Sequence, residues 1–475
     1  MFKDLFKKKP IELAIEESEK TLLKRTLSSI DLIFFGIGAI IGAGIFALVG
    51  TAASFAGPGV IISFILAGLV CLFSAFSYAE LSSSIPISGS AYTYSYIAFG
   101  EFIAFLVGWN LILEYLVGNM AVAISWSAYF KTLLQNFNIF IPDWLSSSYN
   151  SSISYAPKFF NFQIVFNLPA FLIMLFITFI LIIGIKESAR LNNILVFLKV
   201  FILLFFIIVG FSFISLENFK PFMPNGFSGV LTGAGLLFFA YIGFDAISTT
   251  AEEVKNPKLS LPVGIVGSLL FSTVIYILVA FVLIGVLNYK DLNVADPLAK
   301  ALSSMNLIWA SSIISVGAII STTTVLLVFQ TGQSRIFLSM ARDGLVPKFF
   351  SIIHPKFKTP YISIIICGLV VAIVSGFVDI SSVAELTNIG TLFAFIIINL
   401  GVIYLRIKKQ FIPKFKTPFF PIFPILGVLS CFVLMLSLPK ITWIRFIFWL
   451  FLGILIYFFM KALKLSNYEK KYGNN

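Results

Sequence analysis

Apolar residues run through this chain in long blocks, not in the alternation of a half-buried strand or the single stripe of a surface helix. Twelve blocks are set apart by polar or turn-forming residues: 31–51, 58–83, 98–130, 168–185, 191–215, 228–251, 261–287, 305–335, 360–378, 382–404, 419–439 and 442–463. Each approaches or exceeds the ~20 residues that carry a helix across a bilayer. Turn chemistry punctuates them, as in "AGPG" at 56–59, "PIS" at 86–88, "NPKLSLP" at 256–262 and "KTP" at 358–360. The third and eighth blocks are too long for a straight crossing and are predicted to tilt or protrude. The pattern predicts an all-α polytopic membrane protein with twelve transmembrane helices.

Within the first block lies "GIGAIIGAGIF" (36–46), inside a run without charge from Leu32 to Ala79. Glycine costs a helix about 1 kcal/mol against alanine, so the block is built to come apart near its middle. The sixth block carries a similar interruption, "FFAYIGFDAIS", around Ala240–Asp245. Both fall in the first block of a set of five. Five is odd, so the second set is predicted to be inverted relative to the first. Glycine-interrupted spans at corresponding places in two halves point to a transporter's binding site. An unwound stretch in lipid frees N–H and C=O groups that need partners. A substrate with a carboxylate and an ammonium supplies them: N–H groups at a half-helix start for the one, carbonyls at a half-helix end for the other. The competing reading is close helix packing at small residues, which suits Gly36 and Gly38 best.

Composition agrees with a membrane protein: 59% of the residues are hydrophobic and 11% charged, against roughly 25% charged in soluble chains. The 55 Phe residues fit a composition bias and no particular surface. Cys71, Cys367 and Cys431 sit in apolar blocks without paired spacing, and the only histidine, His354, lies in a polar loop. Neither a disulfide framework nor a metal site is expected. Residues 1–29 are polar and charged, with no short apolar core before a cleavage site, so no cleaved leader is expected.

Charge then orients the chain. With the N-terminus inside, 25 Lys and Arg residues fall on the inner segments and seven on the outer ones, Lys199 being within a span. That bias predicts two cytoplasmic termini. It accounts for most of the net charge of +12 without a nucleic-acid partner. No phosphate-binding glycine loop, zinc spacing or intramembrane histidine occurs. An enzyme and an ATP-driven pump are therefore both excluded as readings, and energy must come from an ion gradient or from exchange.

"GIGAIIGAGIF" resembles the first-span signature of the amino acid–polyamine–organocation superfamily. "AYIGFDAISTTAEEVKNPKLSLPVGI" (240–265), "SRIFLSMARDGLVPKFFSIIHPKFKTP" (334–360) and "TPFFPIFPILGVLSCFVLM" (417–435) resemble its cationic amino acid transporter branch, in a bacterial, twelve-span form. The resemblance runs from about residue 25 to 463 and implies a leucine-transporter-like fold. That fold has two inverted five-helix repeats with discontinuous helices 1 and 6, plus two C-terminal helices. The expected layout is a cytoplasmic arm 1–29, repeats 30–215 and 216–404, helices 11–12 in 405–463 and a cytoplasmic tail 464–475. A bundle of helices 1, 2, 6 and 7 would rock against a scaffold.

By the same resemblance, backbone N–H groups at Ile41, Gly42, Ala43 and Gly44 would meet the substrate carboxylate. Carbonyls near Ile40, Phe239, Ala240 and Ile242 would meet its ammonium, and Phe239 would be an aromatic gate. Ala43 stands where relatives often carry Thr or Ser. Lys199 matches the helix-5 lysine of proton-coupled members. Buried, its ammonium would hold carbonyls of the broken first helix and release them on losing its proton; snorkelling to an interface or a fixed structural charge are the rivals. Glu114, mid-span 3, would face a cationic side chain or else be protonated and structural. Asp245 is read as local pairing or capping and Glu80 as part of an inner gate.

These expectations add up to a proton-coupled symporter of a bacterial inner membrane, importing cationic or small neutral amino acids by alternating access. It would need no cofactor and no metal, with the proton as coupling ion and the bilayer as surroundings. A small membrane subunit or homo-oligomer stays open. The rivals are an obligate exchanger, an amino acid sensor and a channel.

Overall fold

The computed structural model describes residues 5–12, 15–16, 25, 27–87, 89–147, 157–159, 162–163, 165–183, 189–357 and 359–472. Much of the N-terminal arm, the centre of the loop between the fourth and fifth predicted spans and the last three residues lie outside these. The described chain is helical apart from one antiparallel pair of two-residue strands, β1 (Lys158–Phe159) and β2 (Phe162–Gln163), in the loop after the third predicted span. The all-α expectation did not include that pair.

Helix α1 (Ser29–Ile40) starts at a capping box: the Asp31 amide donates to Ser28 Oγ, and the Ser28 amide donates to Asp31 Oδ2. The helix stops at Ile41, and a π turn (Gly44–Leu48) leads into α2 (Val49–Ala56). Gly57, at φ +61°, turns the chain through a short 3-10 segment into α3 (Val60–Ser84). The predicted third span, 98–130, falls almost wholly in α5 (Glu101–Asn136); Gly100 at φ +96° separates it from α4 (Ser90–Phe99), a helix the apolar blocks did not predict. A side chain at Gly100 would also strike the Phe6 backbone at 2.7 Å.

The remaining helices follow the apolar blocks closely: α6 (Leu168–Ile183), α7 (Ala189–Phe211), α8 (Gly226–Leu237), the one-turn α9 (Ala246–Thr249), α10 (Pro257–Val286), α11 (Pro297–Ser304), α12 (Ile308–Arg342), α13 (Tyr361–Ser375), α14 (Ile380–Ile407), α15 (Ile422–Ser437) and α16 (Lys440–Tyr472). Helix α11 lies in a loop and was not predicted. Among the described residues, eight helical stretches are long and apolar enough to cross a membrane, which makes this a multi-pass membrane protein. The first, Ser29–Ser84, contains two of the expected spans; α6, α13 and α15 are apolar but shorter. Large apolar side chains such as Ile208 and Phe448 face outward, as lipid-facing residues do.

The helices pack in two sets. α10 lies against α1 and α3, with α8 on α2 and α3; α12 and α14 lie against α5, with α13 on α6. Along the seam between the sets α14 carries a polar stripe, Asn388, Asn399 and Arg406. Spacings of 11 and 7 residues, near whole numbers of turns, put all three on one face. Asn388 donates to Gly235 O (2.7 Å) and Leu236 O (3.0 Å) of α8, and Asn399 donates to Ser74 Oγ (2.9 Å) of α3. Arg406 meets the fully buried Glu80 of α3 at 2.7 and 3.1 Å. The Thr417 amide also donates to Glu80, at 2.7 Å. Glu80 therefore ties three segments together. Glu80→Ala is expected to cost about 2–3 kcal/mol of stability. That is less than the roughly 3–5 kcal/mol of a fully buried pair, because the Arg406 side chain is 17% exposed. The check is a fall in the thermal unfolding temperature of the purified protein, larger than for Glu217→Ala at an exposed acid.

Candidate functional site

The last backbone bond of α1 runs from the Ile41 amide to Ile37 O, at 3.0 Å. A helix end leaves four carbonyls without helical partners, here those of Gly38, Ala39, Ile40 and Ile41. Away from water each needs a donor. The Lys199 ammonium, fully buried mid-way along α7, donates to Gly38 O (2.9 Å), Ile41 O (3.2 Å) and Thr324 Oγ1 (3.0 Å). Ser321 of α12 donates to Ile41 O at 2.9 Å. The Tyr276 hydroxyl of α10 lies 2.9 Å from Ile40 O and 2.8 Å from Ala240 O. A cation at a helix C-terminus also meets the negative end of its dipole. Lys199 is thus placed by the break in α1.

The second break mirrors this need. After α8 comes a 3-10 turn (Phe238–Tyr241), an extended Ile242, then Gly243 at φ +119°. Only glycine suits that conformation readily, and a Cβ at Gly243 would lie 2.9 Å from Ala39 C, Cβ and O. A Cβ at Gly44 would lie 2.3 Å from Ala240 Cα. The two breaks touch through the absence of side chains. All eight predicted backbone positions (Ile40, Ile41, Gly42, Ala43, Gly44, Phe239, Ala240 and Ile242) are buried and come together here. The N–H groups that open the segment after the first break, from Gly42 on, are those a helix start leaves without helical acceptors.

Some expected carbonyls are already engaged. Phe239 O accepts from the Ile242 amide at 3.2 Å, and Tyr276 bridges Ile40 O and Ala240 O. Tyr276, Ser321 and Thr324 form the polar wall of the break. Their neighbours Thr322 and Thr323 turn back to carbonyls of their own helix, Thr323 also accepting from Trp126. Gly36 packs as expected: a Cβ there would meet Ser268 Oγ at 2.3 Å and Ile247 Cδ1 at 2.6 Å. The Gly38 carbonyl, read as a packing position, is a Lys199 acceptor.

Beyond the second break lies a buried polar cluster. Asp245 Oδ1 accepts from the Gly243 amide at 3.2 Å, while Oδ2 and both carboxyl oxygens of Glu114 have no hydrogen-bond partner among the described residues. Tyr78, Tyr94 and Tyr115 stand close enough to feel these carboxyls or one another. The Thr391 hydroxyl is near Glu114 but donates to Thr387 O (3.1 Å); the Ser248 hydroxyl is near Tyr94 but donates to Asp245 O (2.6 Å). An ionised carboxylate buried without a donor is costly. These oxygens call for a proton or for donors brought by a ligand.

At one end of the helices, the Tyr129 hydroxyl donates to Phe46 O and Thr132 donates to Asp296, pinning the π turn and the loop before α11. At the opposite end, Lys9 lies 3.7 Å from Asp343, and Tyr92 donates to Asp343 at 2.5 Å. Arg335 and Glu253 are 3.9 Å apart, a loose contact between neighbouring helix ends.

A family model described as amino acid permease matches residues 27–460. A methylthioribose transporter of Bacillus subtilis is 48% identical over 456 residues, covering 96% of this chain and 97% of that one. A branched-chain amino acid permease of the same species is 46% identical over 458 residues, covering 96% and 97%. A chloroplastic cationic amino acid transporter of Arabidopsis thaliana is 41% identical over 403 residues, covering 84% of this chain and 69% of its own length. These relatives are transporters of three different substrate classes, so the resemblance to the cationic branch carries no cationic specificity with it.

Proposed function

The chain belongs to the amino acid permease family, and from that premise we propose that it is a proton-coupled symporter working by alternating access. It is a transporter and not an enzyme, and its relatives are permeases. The twelve-span reading counts Ser29–Ser84 as two passes, turned at Gly57, and α6, α13 and α15 as one pass each. The two breaks are then the first spans of two inverted five-helix repeats. The charge bias supports cytoplasmic termini in a bacterial inner membrane.

The observation that carries the proposal is Lys199 on the carbonyls of the first break. The substrate carboxylate takes the N–H groups from Gly42 to Gly44. Its ammonium takes carbonyls at Ile40, Ala240 and Ile242, where Tyr276 can yield or share its acceptors. The substrate and Lys199 therefore grip opposite sides of one break. Proton loss from Lys199 removes its charge and one of its three N–H donors, which weakens its hold on the end of α1, and substrate binding and proton binding favour the same arrangement. Phe239 closes one side of the site.

The test is uptake into liposomes by the purified protein, with and without an inward proton gradient. Accumulation above the outside level only with the gradient is expected. Rapid exchange without accumulation would establish the obligate exchanger instead. A panel of leucine, alanine, arginine and methylthioribose identifies the substrate class, and Glu114→Gln reports on the side-chain end. If Glu114 contacts a cationic group, the variant loses a charge-assisted bond of about 1.5–3 kcal/mol, a roughly 10- to 100-fold rise in the KM for arginine. If Glu114 is a buried neutral acid, the KM for leucine and arginine change alike and by less than threefold.

A further inference from the structure

One surface remains outside the transport site: the segment joining α14 to α15. Its sequence, "RIKKQFIPKFKTPFFP" (406–421), holds five basic residues, and no Asp or Glu occurs anywhere from Leu386 to Tyr468. The segment is not a loose loop. Thr417 is buried, with its amide on Glu80 and its hydroxyl on Phe76 O at 3.1 Å. The Lys414 amide donates to Ser84 Oγ at 3.0 Å, and the Phe415 ring stacks on Phe76. Arg406 is spent on Glu80 and on the Phe420 ring, 4.4 Å from its centroid.

The four lysines are placed differently. Lys408, Lys409, Lys414 and Lys416 are all exposed. Between them stand apolar side chains that are also exposed: Ile407, Phe419 and Ile412, the last at 89%. Lys8 of the N-terminal arm joins this face, donating to the Tyr404 hydroxyl at 2.8 Å and lying over its ring, with Lys408 close by. Both flanking helices are apolar and end at this segment, so it sits at a membrane boundary. A rigidly backed row of ammonium groups interleaved with bare apolar side chains matches one neighbour in charge and in polarity: a phosphate headgroup with its acyl chains.

We propose that this face binds anionic phospholipid, with the lysines on the headgroup phosphates and Ile407, Ile412 and Phe419 among the acyl chains. Each lysine near an anionic surface contributes about a fivefold gain in binding. Because the face is bolted through Thr417 and Arg406 to Glu80, lipid held there also braces the α3–α14 seam. The proposal rests on the multi-pass reading but not on the transport mechanism or on which end is cytoplasmic.

The test titrates the full-length purified protein in neutral detergent with dioctanoyl phosphatidylglycerol and, separately, dioctanoyl phosphatidylcholine, reading bound lipid by native mass spectrometry. Phosphatidylglycerol is expected to bind at least tenfold more tightly. The quadruple variant Lys408→Gln, Lys409→Gln, Lys414→Gln, Lys416→Gln should lose that preference. The control Lys255→Gln, Lys258→Gln, which removes two exposed lysines elsewhere, should keep it. Equal binding of the two lipids, an unchanged quadruple variant, or an equal loss in the control overturns the proposal. Competition by soluble glycerol phosphate as strong as by the lipid also overturns it, since the face would then be a soluble-anion site. None of these readouts involves uptake, so failure here leaves the symporter reading standing, and failure of symport leaves this one.

Discussion

Gly44→Ala is expected to abolish measurable uptake while leaving a protein that still folds and purifies as a single species. The added Cβ would lie 2.3 Å from Ala240 Cα, 2.4 Å from its Cβ and 3.0 Å from its amide nitrogen. Carbon atoms rest at about 3.5–4 Å, so the two breaks must move apart by more than an ångström. Backbone is the obstacle, so no rotamer change relieves it. Charged hydrogen bonds are worth about 1.5–3 kcal/mol each. Losing alignment at one or two of them lowers apparent substrate affinity by roughly 10- to 10,000-fold. Ala240→Gly should fail to rescue, because Ala240 Cα is itself the nearest atom. Gly36→Ala makes the contrast. Its Cβ meets Ser268 Oγ and Cβ and Ile247 Cδ1, all side-chain atoms. The pair Gly36→Ala, Ser268→Gly should therefore recover much of what Gly36→Ala loses. Wild-type substrate affinity in Gly44→Ala, measured by binding of radiolabelled amino acid, would separate the breaks from the substrate.

The contrast between these two glycines shows how far the sequence could be read. The density of glycine around 36–44 announced a break, although close helix packing is the other use of such glycines and is the one Gly36 serves. The second break, with Ile242 and Gly243, was legible by its glycine midway through the sixth apolar block. The partners of each break were not. Tyr276 lies 236 residues from Ile40, and Thr324 lies 125 from Lys199. In α10 and α12 almost every residue is apolar or small, so periodicity gives no rotation by which to single out an inward-facing hydroxyl. Glu80 was legible as a buried acid near a helix end. That its role is to hold the 406–417 segment depended on Arg406 and Thr417, which hydropathy leaves in a loop. Gly100 was missed for the opposite reason: the apolar pattern runs straight through it, and only φ +96° and the nearness of Phe6 divide α4 from α5. Lys199 needed no tertiary information to be noticed, because one ammonium in the middle of an apolar block is expensive.

That expense sets up the second large effect. Lys199→Met should eliminate accumulation driven by a proton gradient, reducing a many-fold gradient of substrate to an inside-to-outside ratio of about one. Counterflow exchange of the same substrate should persist. Methionine matches the length of the lysine stem and leaves no charge, so the packing of α7 is kept. The carbonyls fare unequally. Ile41 O keeps the Ser321 hydroxyl at 2.9 Å, while Gly38 O loses its Lys199 donor. One orphaned carbonyl costs about 1–3 kcal/mol, which a chain of this size can bear. Lys199→Arg keeps the charge but cannot release a proton in this pH range. If titration of Lys199 couples the proton to substrate, arginine must also lose accumulation, despite restoring the cation at the end of α1. If Lys199 is a fixed structural charge, arginine restores accumulation and methionine lowers stability and exchange together. The two substitutions thus separate a charge that moves a proton from a charge that only caps a helix. Full gradient-driven accumulation by Lys199→Met would remove Lys199 from the coupling step altogether.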